Sequence, residues 1–135
     1  MIKISNIDHV VIRAKDIPKM IAFYRDVLGC PEERRNEDMG LYQMRAGSAL
    51  IDLVDVNGKL GKMGGAAPGG DACNMDHFCV RVEPFDEDVI RAHLAKHQID
   101  APEKVMRYGA EGTGPSIYIQ DPEGNTVELK GPAGE

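Results

Sequence analysis

The sequence predicts an α+β fold built from two copies of one βαβββ unit, and three observations carry that prediction. The chain repeats itself: His9 and Arg13 in "IDHVVIRAKD" return as His77 and Arg81 in "MDHFCVRVEP", both at a spacing of 68 residues. A segment of helical apolar period follows directly after this strand-like stretch in each copy. Further short alternating runs then follow and recur at a spacing of 76, "LYQM" with "IYIQ" and "LIDLV" with "TVELK". A repeat of whole supersecondary units decides the architecture before any single element does. The larger second spacing gives the second copy 76 − 68 = 8 extra residues, most simply housed in the Gly-rich stretch "RYGAEGTGP".

The elements follow in order. After the first strand, Ile17, Met20, Ile21, Tyr24, Val27 and Leu28 fall on one helical face, with Asp16 as N-cap, Pro18 in the first turn and Gly29 just past the end. Short strands are predicted over Glu32–Asn36, Leu41–Arg45 and Ala49–Asp55. A linker, "GKLGKMGGAAPGGDA", is Gly-rich and nearly featureless, and reads either as a passive connection or as a mobile flap over a site. In the second copy a helix from about Asp86 to His97 opens with three acidic residues, and Phe85 is placed to staple onto Ile90. Strands at Lys104–Arg107, Ser116–Gln120 and Thr126–Lys130 complete it, the last two joined by the tight turn "DPEGN". Residues 1–135 are thus expected to form one domain, with module one at about 4–56, the linker at about 57–74 and module two at about 75–131.

Composition narrows the function classes. A chain of 135 residues, 42% apolar and 28% charged, has the make-up of one ordinary globular domain. No apolar run is long enough for a membrane helix, and "MIKISNIDH" lacks a signal peptide's basic flank and apolar stretch, so a cytoplasmic protein is expected. Cys30, Cys73 and Cys79 are odd in number and have no CxxC spacing, which reads as free thiols. A net charge of −6 with no basic cluster offers nothing to nucleic acid.

Alternation along the strands locates the chemistry. Val10 and Ile12 make one face of the first strand and His9, Val11 and Arg13 the other; in the second copy Phe78, Val80 and Val82 oppose His77, Cys79 and Arg81. In the last strands Ile51 and Leu53, like Val127 and Leu129, alternate with Asp52 and Glu128. If the apolar sets pack on the helices, two imidazoles and two carboxylates share the helix-free face. A curved sheet closing around that face would gather them into a site for a divalent metal, with positions left for water or substrate. The alternative is two ordinary histidines and two solvated carboxylates. Four such residues at symmetric positions of a duplicated unit favour the metal. His93 and His97 have an i, i+4 spacing, but the Glu of a zincin helix is missing and the helix reads as a surface element. Cys79 reads as a small buried hydrophobe.

The stretches "IDHVVIRAKD", "MIAFYRDVLG", "MDHFCVRV" and "SIYIQDPEGNTVELKG" together resemble the vicinal oxygen chelate superfamily of glyoxalases, bleomycin-resistance proteins, fosfomycin-resistance enzymes and extradiol dioxygenases. The likeness is greatest to its small glyoxalase-like members. The resemblance implies two βαβββ modules forming a cupped, open-barrel mixed sheet with helices on the outer face, and metal ligands from the first and last strand of each module. Position by position these are His9, Asp52, His77 and Glu128. Asp52 departs from the Glu often found there; being one methylene shorter, it leaves direct ligation, ligation through water and no ligation all open. The implied cofactor is one divalent ion, Zn, Ni, Mn, Co or Fe, acting as Lewis acid on a small-molecule substrate held through two neighbouring oxygens. Glu128 is then the base that moves a proton on the carbon next to a carbonyl. Tyr118 and its apparent counterpart Tyr42 are candidates to hydrogen-bond substrate, and Arg13 and Arg81 to clamp a carboxylate, with a pocket wall and a surface salt bridge as the respective alternatives.

The expected function is therefore a metal-dependent lyase or isomerase of glyoxalase type. Two other readings stand beside it: a bleomycin-resistance-like protein that sequesters a ligand without chemistry, and an Fe(II) extradiol-type dioxygenase using His9, His77 and Glu128. Against the first of these, the chain has no Trp and three Phe with which to stack a ligand. Exposed sheet edges in so small a fold lead us to expect a homodimer.

Overall fold

The computed structural model describes residues 1–134. The chain divides into two compact units, Met1–Asn74 and a second beginning at Met75. In the first, β1 (His9–Ala14) pairs in parallel with β4 (Ala49–Asp55), and β3 (Leu41–Ala46) and β2 (Glu32–Asn36) follow antiparallel. The order of this four-stranded sheet is β1-β4-β3-β2. In the second, β5 (Phe78–Arg81) lies parallel to β8 (Thr126–Lys130), followed by β7 (Gly112–Gln120) and β6 (Val105–Gly109). Its order, β5-β8-β7-β6, is the same topology. Each unit is α+β with an open mixed sheet, and in each the first strand meets its parallel partner only after a helix and two further strands.

Local chemistry explains the helices. In α1 (Ile17–Ala22) the Asp16 carboxylate accepts a hydrogen bond from the Lys19 N–H at 3.1 Å, and Pro18 occupies the first turn, where no N–H is needed. The helix then widens into a π-helical stretch, Phe23–Val27, instead of running on unchanged to Leu28. Gly29, at φ +69°, ends it. Ile17, Met20, Ile21, Phe23 and Tyr24 are buried with Ile12, Ala14, Met44 and Leu53, and form the core of the first unit. In the second unit α3 (Glu87–Lys96) is capped by Asp86, whose side chain accepts from the Val89 N–H at 3.2 Å. Leu94, Ile117, Ile119, Val127 and Leu129 are its buried apolar residues. Among the described residues no helix is long and apolar enough to cross a membrane.

Two glycine-rich segments are more ordered than their composition suggests. The linker opens with a helical turn, α2 (Lys59–Lys62), seated so tightly that a Cβ on Gly61 would lie 1.9 Å from the Asp55 carbonyl oxygen. "RYGAEGTGP" is not a loop but the end of the β6–β7 hairpin, turning through Ala110 and Glu111 with Gly109 opposite Gly112. The extra residues of the second copy lengthen a ladder.

The β7–β8 turn shows why its sequence reads "DPEGN". One oxygen of buried Asp121 accepts from the Glu123 and Asn125 N–H groups at 2.9 and 3.0 Å, and the other accepts from the Asn125 amide at 2.8 Å. Gly124 supplies the positive φ of +81°. Asp121→Ala leaves these donors without their acceptor and is expected to lower stability by about 1–3 kcal/mol, measured as a lower urea midpoint with unchanged slope.

Candidate functional site

Parallel register places an acid beside each histidine. Val11 lies across from Asp52, and Cys79 across from Glu128. Alternate residues of a strand share a face, so His9 and His77, each two positions earlier, stand on the face of the neighbouring carboxylate. His77 Nε2 is 3.2 Å from Glu128 Oε1, and His9 Nε2 is 4.0 Å from Asp52 Oδ2. The imidazoles are 36% and 46% exposed and the carboxylates only 7% and 6%, so each acid is sunk beneath an open histidine.

Each of these groups also has a partner behind it. His9 Nδ1 bonds Asp8 at 2.7 Å and His77 Nδ1 bonds Asp76 at 2.6 Å. That leaves Nε2 as the ring nitrogen facing the acid. The Asp8 hydrogen bond, with the charge on Asp52, raises the pKa of His9; the Asp76 hydrogen bond, with the charges of Asp76 and Glu128, raises that of His77 against partial burial. Glu128 Oε2 accepts the Ser116 hydroxyl at 2.6 Å. Burial alone would raise the Glu128 carboxyl, but the hydroxyls of Ser116 and Tyr118 and the charge on His77 outweigh it and hold the group below the usual carboxylate range. Asp52 is held differently: the Gln43 amide donates to both of its oxygens at 3.3 and 3.4 Å.

The residue opposite the acid differs between the units. Tyr118 pairs with Glu128, with its ring edge-on to His77 at 5.8 Å between centroids and the Arg107 guanidinium 5.9 Å away. In the first unit Gln43, not Tyr42, pairs with Asp52. Tyr42 pairs with Leu53 and so lies on the opposite face of the sheet, with Arg35 5.2 Å from its ring. The apparent equivalence of Tyr42 and Tyr118 fails because the hairpin turns differ. Ala46 faces Ala49 across a two-residue turn, whereas Gln120 faces Thr126 across five residues. Turn length sets register, and a shift of one residue exchanges the faces.

Both arginines have protein partners. Arg13 donates to the carbonyls of Gly65, Ala66 and Gly61 at 2.7, 2.9 and 3.0 Å. Asn74 ties the same residue by its backbone, accepting from the Arg13 N–H and donating to its carbonyl. The linker is therefore strapped to β1. A Cβ on Gly64 would lie 2.5 Å from Arg13 Nε, so a larger residue there would displace the guanidinium. Arg81 forms ion pairs with Glu111 and, at 3.3 Å, with Glu83. Cys79 is partly exposed, not buried, yet desolvation and the neighbouring Glu128 push its thiol up to about 11, so it stays protonated at neutral pH. The His93 and His97 rings stand 4.8 Å apart on α3.

The donor chemistry fits a divalent metal. A histidine with Nδ1 held by a carboxylate and Nε2 turned toward an acid is the arrangement in which imidazole serves as ligand, its second-shell partner fixing tautomer and orientation. Each unit supplies two such donors, and among the described residues no three His, Cys, Asp or Glu come together as a metal-holding group. Sequence reasoning overlooked Asp8, Asp76, Ser116, Gln43 and Arg107. The first two were visible in it, because the repeated dipeptide is Asp-His and not His alone. Ser116 lies two residues before Tyr118 and so shares its face.

Comparison with known proteins gives a consistent picture. Residues 6–129 match the profile of the Glyoxalase/Bleomycin resistance protein/Dioxygenase superfamily. Human mitochondrial methylmalonyl-CoA epimerase is 25% identical over 133 residues, 94% of this chain and 74% of that protein. A virulence protein of Salmonella typhimurium is 29% identical over 93% of this chain and 83% of its own. The crystal structure of that protein superimposes with a TM-score of 0.81 over 98% of this chain and all of its own, at 25% identity. Lactoylglutathione lyase from Agrobacterium tumefaciens gives 0.69 at 25% identity, covering 96% of this chain and 95% of its own.

The Arg13 strap predicts a separable effect. Arg13→Ala is expected to speed amide exchange at residues 61–66 at least about tenfold, the effect of losing roughly 1.4 kcal/mol of local stability, while exchange in β4 and β8 stays unchanged. Equal exchange at 61–66 in both proteins would refute the strap.

Proposed function

Because the chain belongs to the Glyoxalase/Bleomycin resistance protein/Dioxygenase superfamily, we propose that it is a divalent-metal-dependent enzyme of lyase or isomerase type. Its substrate is a small oxygenated molecule, and the reaction passes through an enolate-like intermediate. The observation that carries this reading is the His77–Glu128 pair, 3.2 Å apart, with the outer atom of each residue already bonded elsewhere. His9, Asp52, His77 and Glu128 would hold the ion. When bound, Zn, Ni, Mn, Co or Fe supplies Lewis acidity toward two neighbouring oxygens of the substrate.

The chain's own residues do the rest. Glu128, held in its ionised form, takes the proton from the carbon beside the carbonyl and returns it. Tyr118, across the ladder from Glu128, orients the substrate oxygen. Arg107, beside the Tyr118 ring, adds positive charge there. Arg13 and Arg81 are assigned to holding the rim of the site, since their guanidinium groups bond the linker carbonyls and Glu111. The relatives named an epimerase and a lyase support chemistry at such a carbon.

Metal analysis of protein purified without chelator tests the reading. The wild type is expected to carry close to one divalent ion per site and His77→Ala to lose it; a wild type that takes up no divalent metal would overturn the proposal. Glu128→Gln is expected to slow deuterium exchange from solvent into the reactive carbon by about 10²–10⁴-fold, measured across acyl thioesters and hemithioacetals.

We also propose that the chain acts as a homodimer. Met1, Ile2, Ile4 and Ile7 are 114%, 89%, 85% and 76% exposed, with Val11 at 46%, an apolar run of the kind that marks an interface. Sedimentation is expected to give twice the 14.8 kDa of one chain. Replacing Ile4 and Ile7 by Asp is expected to give the monomer, and an unchanged mass would refute this assignment of the surface.

A further inference from the structure

We propose that Ser116 is a positioning residue for Glu128, holding one carboxylate oxygen so that the other alone is presented to the metal. The inference rests on the metal reading above and concerns how one of its ligands is aimed. Ser116 is 0% exposed, in a strand whose neighbouring positions Ile117 and Ile119 are apolar core. A hydroxyl buried there is costly unless it is hydrogen-bonded. Its bond goes to Glu128 Oε2, 2.6 Å away and itself buried, the length of a charge-assisted hydrogen bond. Glu128 Oε1 is left toward His77 Nε2 at 3.2 Å.

The duplicated unit supplies an internal comparison. Ser116 pairs with Lys130, two residues beyond Glu128; the matching position, opposite Val54 two residues beyond Asp52, is Leu41. The first unit therefore has no hydroxyl behind its acid. Asp52 instead shares both oxygens with Gln43 at 3.3 and 3.4 Å, and its approach to His9 is the looser 4.0 Å. Where the serine is present, one oxygen of the acid takes its 2.6 Å bond and the other faces the histidine. Where leucine replaces it, neither oxygen is singled out.

The proposal predicts that Ser116 matters to metal binding only through Glu128. Titration of metal-free protein with Co²⁺ reads both affinity, by calorimetry, and coordination, by the visible absorption bands of the bound ion. Ser116→Ala is expected to bind Co²⁺ about 10–100-fold more weakly and to change the visible bands, while Ser116→Thr, if its circular dichroism matches wild type, keeps the wild-type bands. In a Glu128→Gln background Ser116→Ala is expected to weaken Co²⁺ binding less than about threefold, because the group it positions is gone. Wild-type affinity and bands in Ser116→Ala would overturn the proposal, as would an equal loss in both backgrounds, which would mark a general effect on the fold. Failure of the wild type itself to bind Co²⁺ overturns the metal reading as a whole, an outcome distinct from either.

Discussion

The parallel pairing of the first and last strand of each unit is the constraint on which the rest depends. Parallel neighbours cannot be joined by a tight turn, so a crossover must intervene before β1 meets β4 or β5 meets β8, and here it is a helix and two strands. Those intervening elements supply the core on one face and the remainder of the sheet. The same pairing fixes which side chain of the last strand lies beside which of the first. An imidazole and a carboxylate far apart in sequence become neighbours on one face because the ladder sets Val11 beside Asp52 and Cys79 beside Glu128, two positions on from each histidine.

Much of this could be read from residues alone, and the reason is physical. The strands over Ala49–Asp55 and Thr126–Lys130 carry strong alternation, and the caps Asp16 and Asp86 act within a few residues of themselves, so local pattern was sufficient. Faces followed from alternation as well, which is how His9 could be set with Asp52 and His77 with Glu128. What escaped depends on contacts between residues distant in sequence. The helical turn at Lys59–Lys62 and the course of the linker are set by Arg13, 48 or more residues away, and glycine carries no period that could announce it. The β6–β7 hairpin, by contrast, pairs near neighbours and was hidden only by its glycines, which carry no alternation.

Register was the other blind spot. Similar strand sequences suggested that Tyr42 and Tyr118 correspond, but a ladder is counted from its turn and not from its composition. The two units consequently carry chemically distinct surroundings for their acids on one topology. In one, a serine and a tyrosine flank a glutamate; in the other, a glutamine spans an aspartate. Glu128 is held ionised by hydroxyl donors together with His77.

The two-residue turn between Ala46 and Ala49 has a consequence for how such a protein can change over time. A one-residue change there that passed into the ladder would turn all of β3 to the other face, exposing Met44 and driving Gln43 into the core. An insertion at that corner is therefore harmless only where a longer turn absorbs it without moving the ladder, as the five-residue turn of the second unit does. On the present register, the residue that stands beside Asp52 is the one at position 43. The duplicated halves show both kinds of change: turns of two and five residues set which face of the paired strand meets the acid, and the residue standing there then decides the chemistry, Gln43 beside Asp52 and Tyr118 beside Glu128.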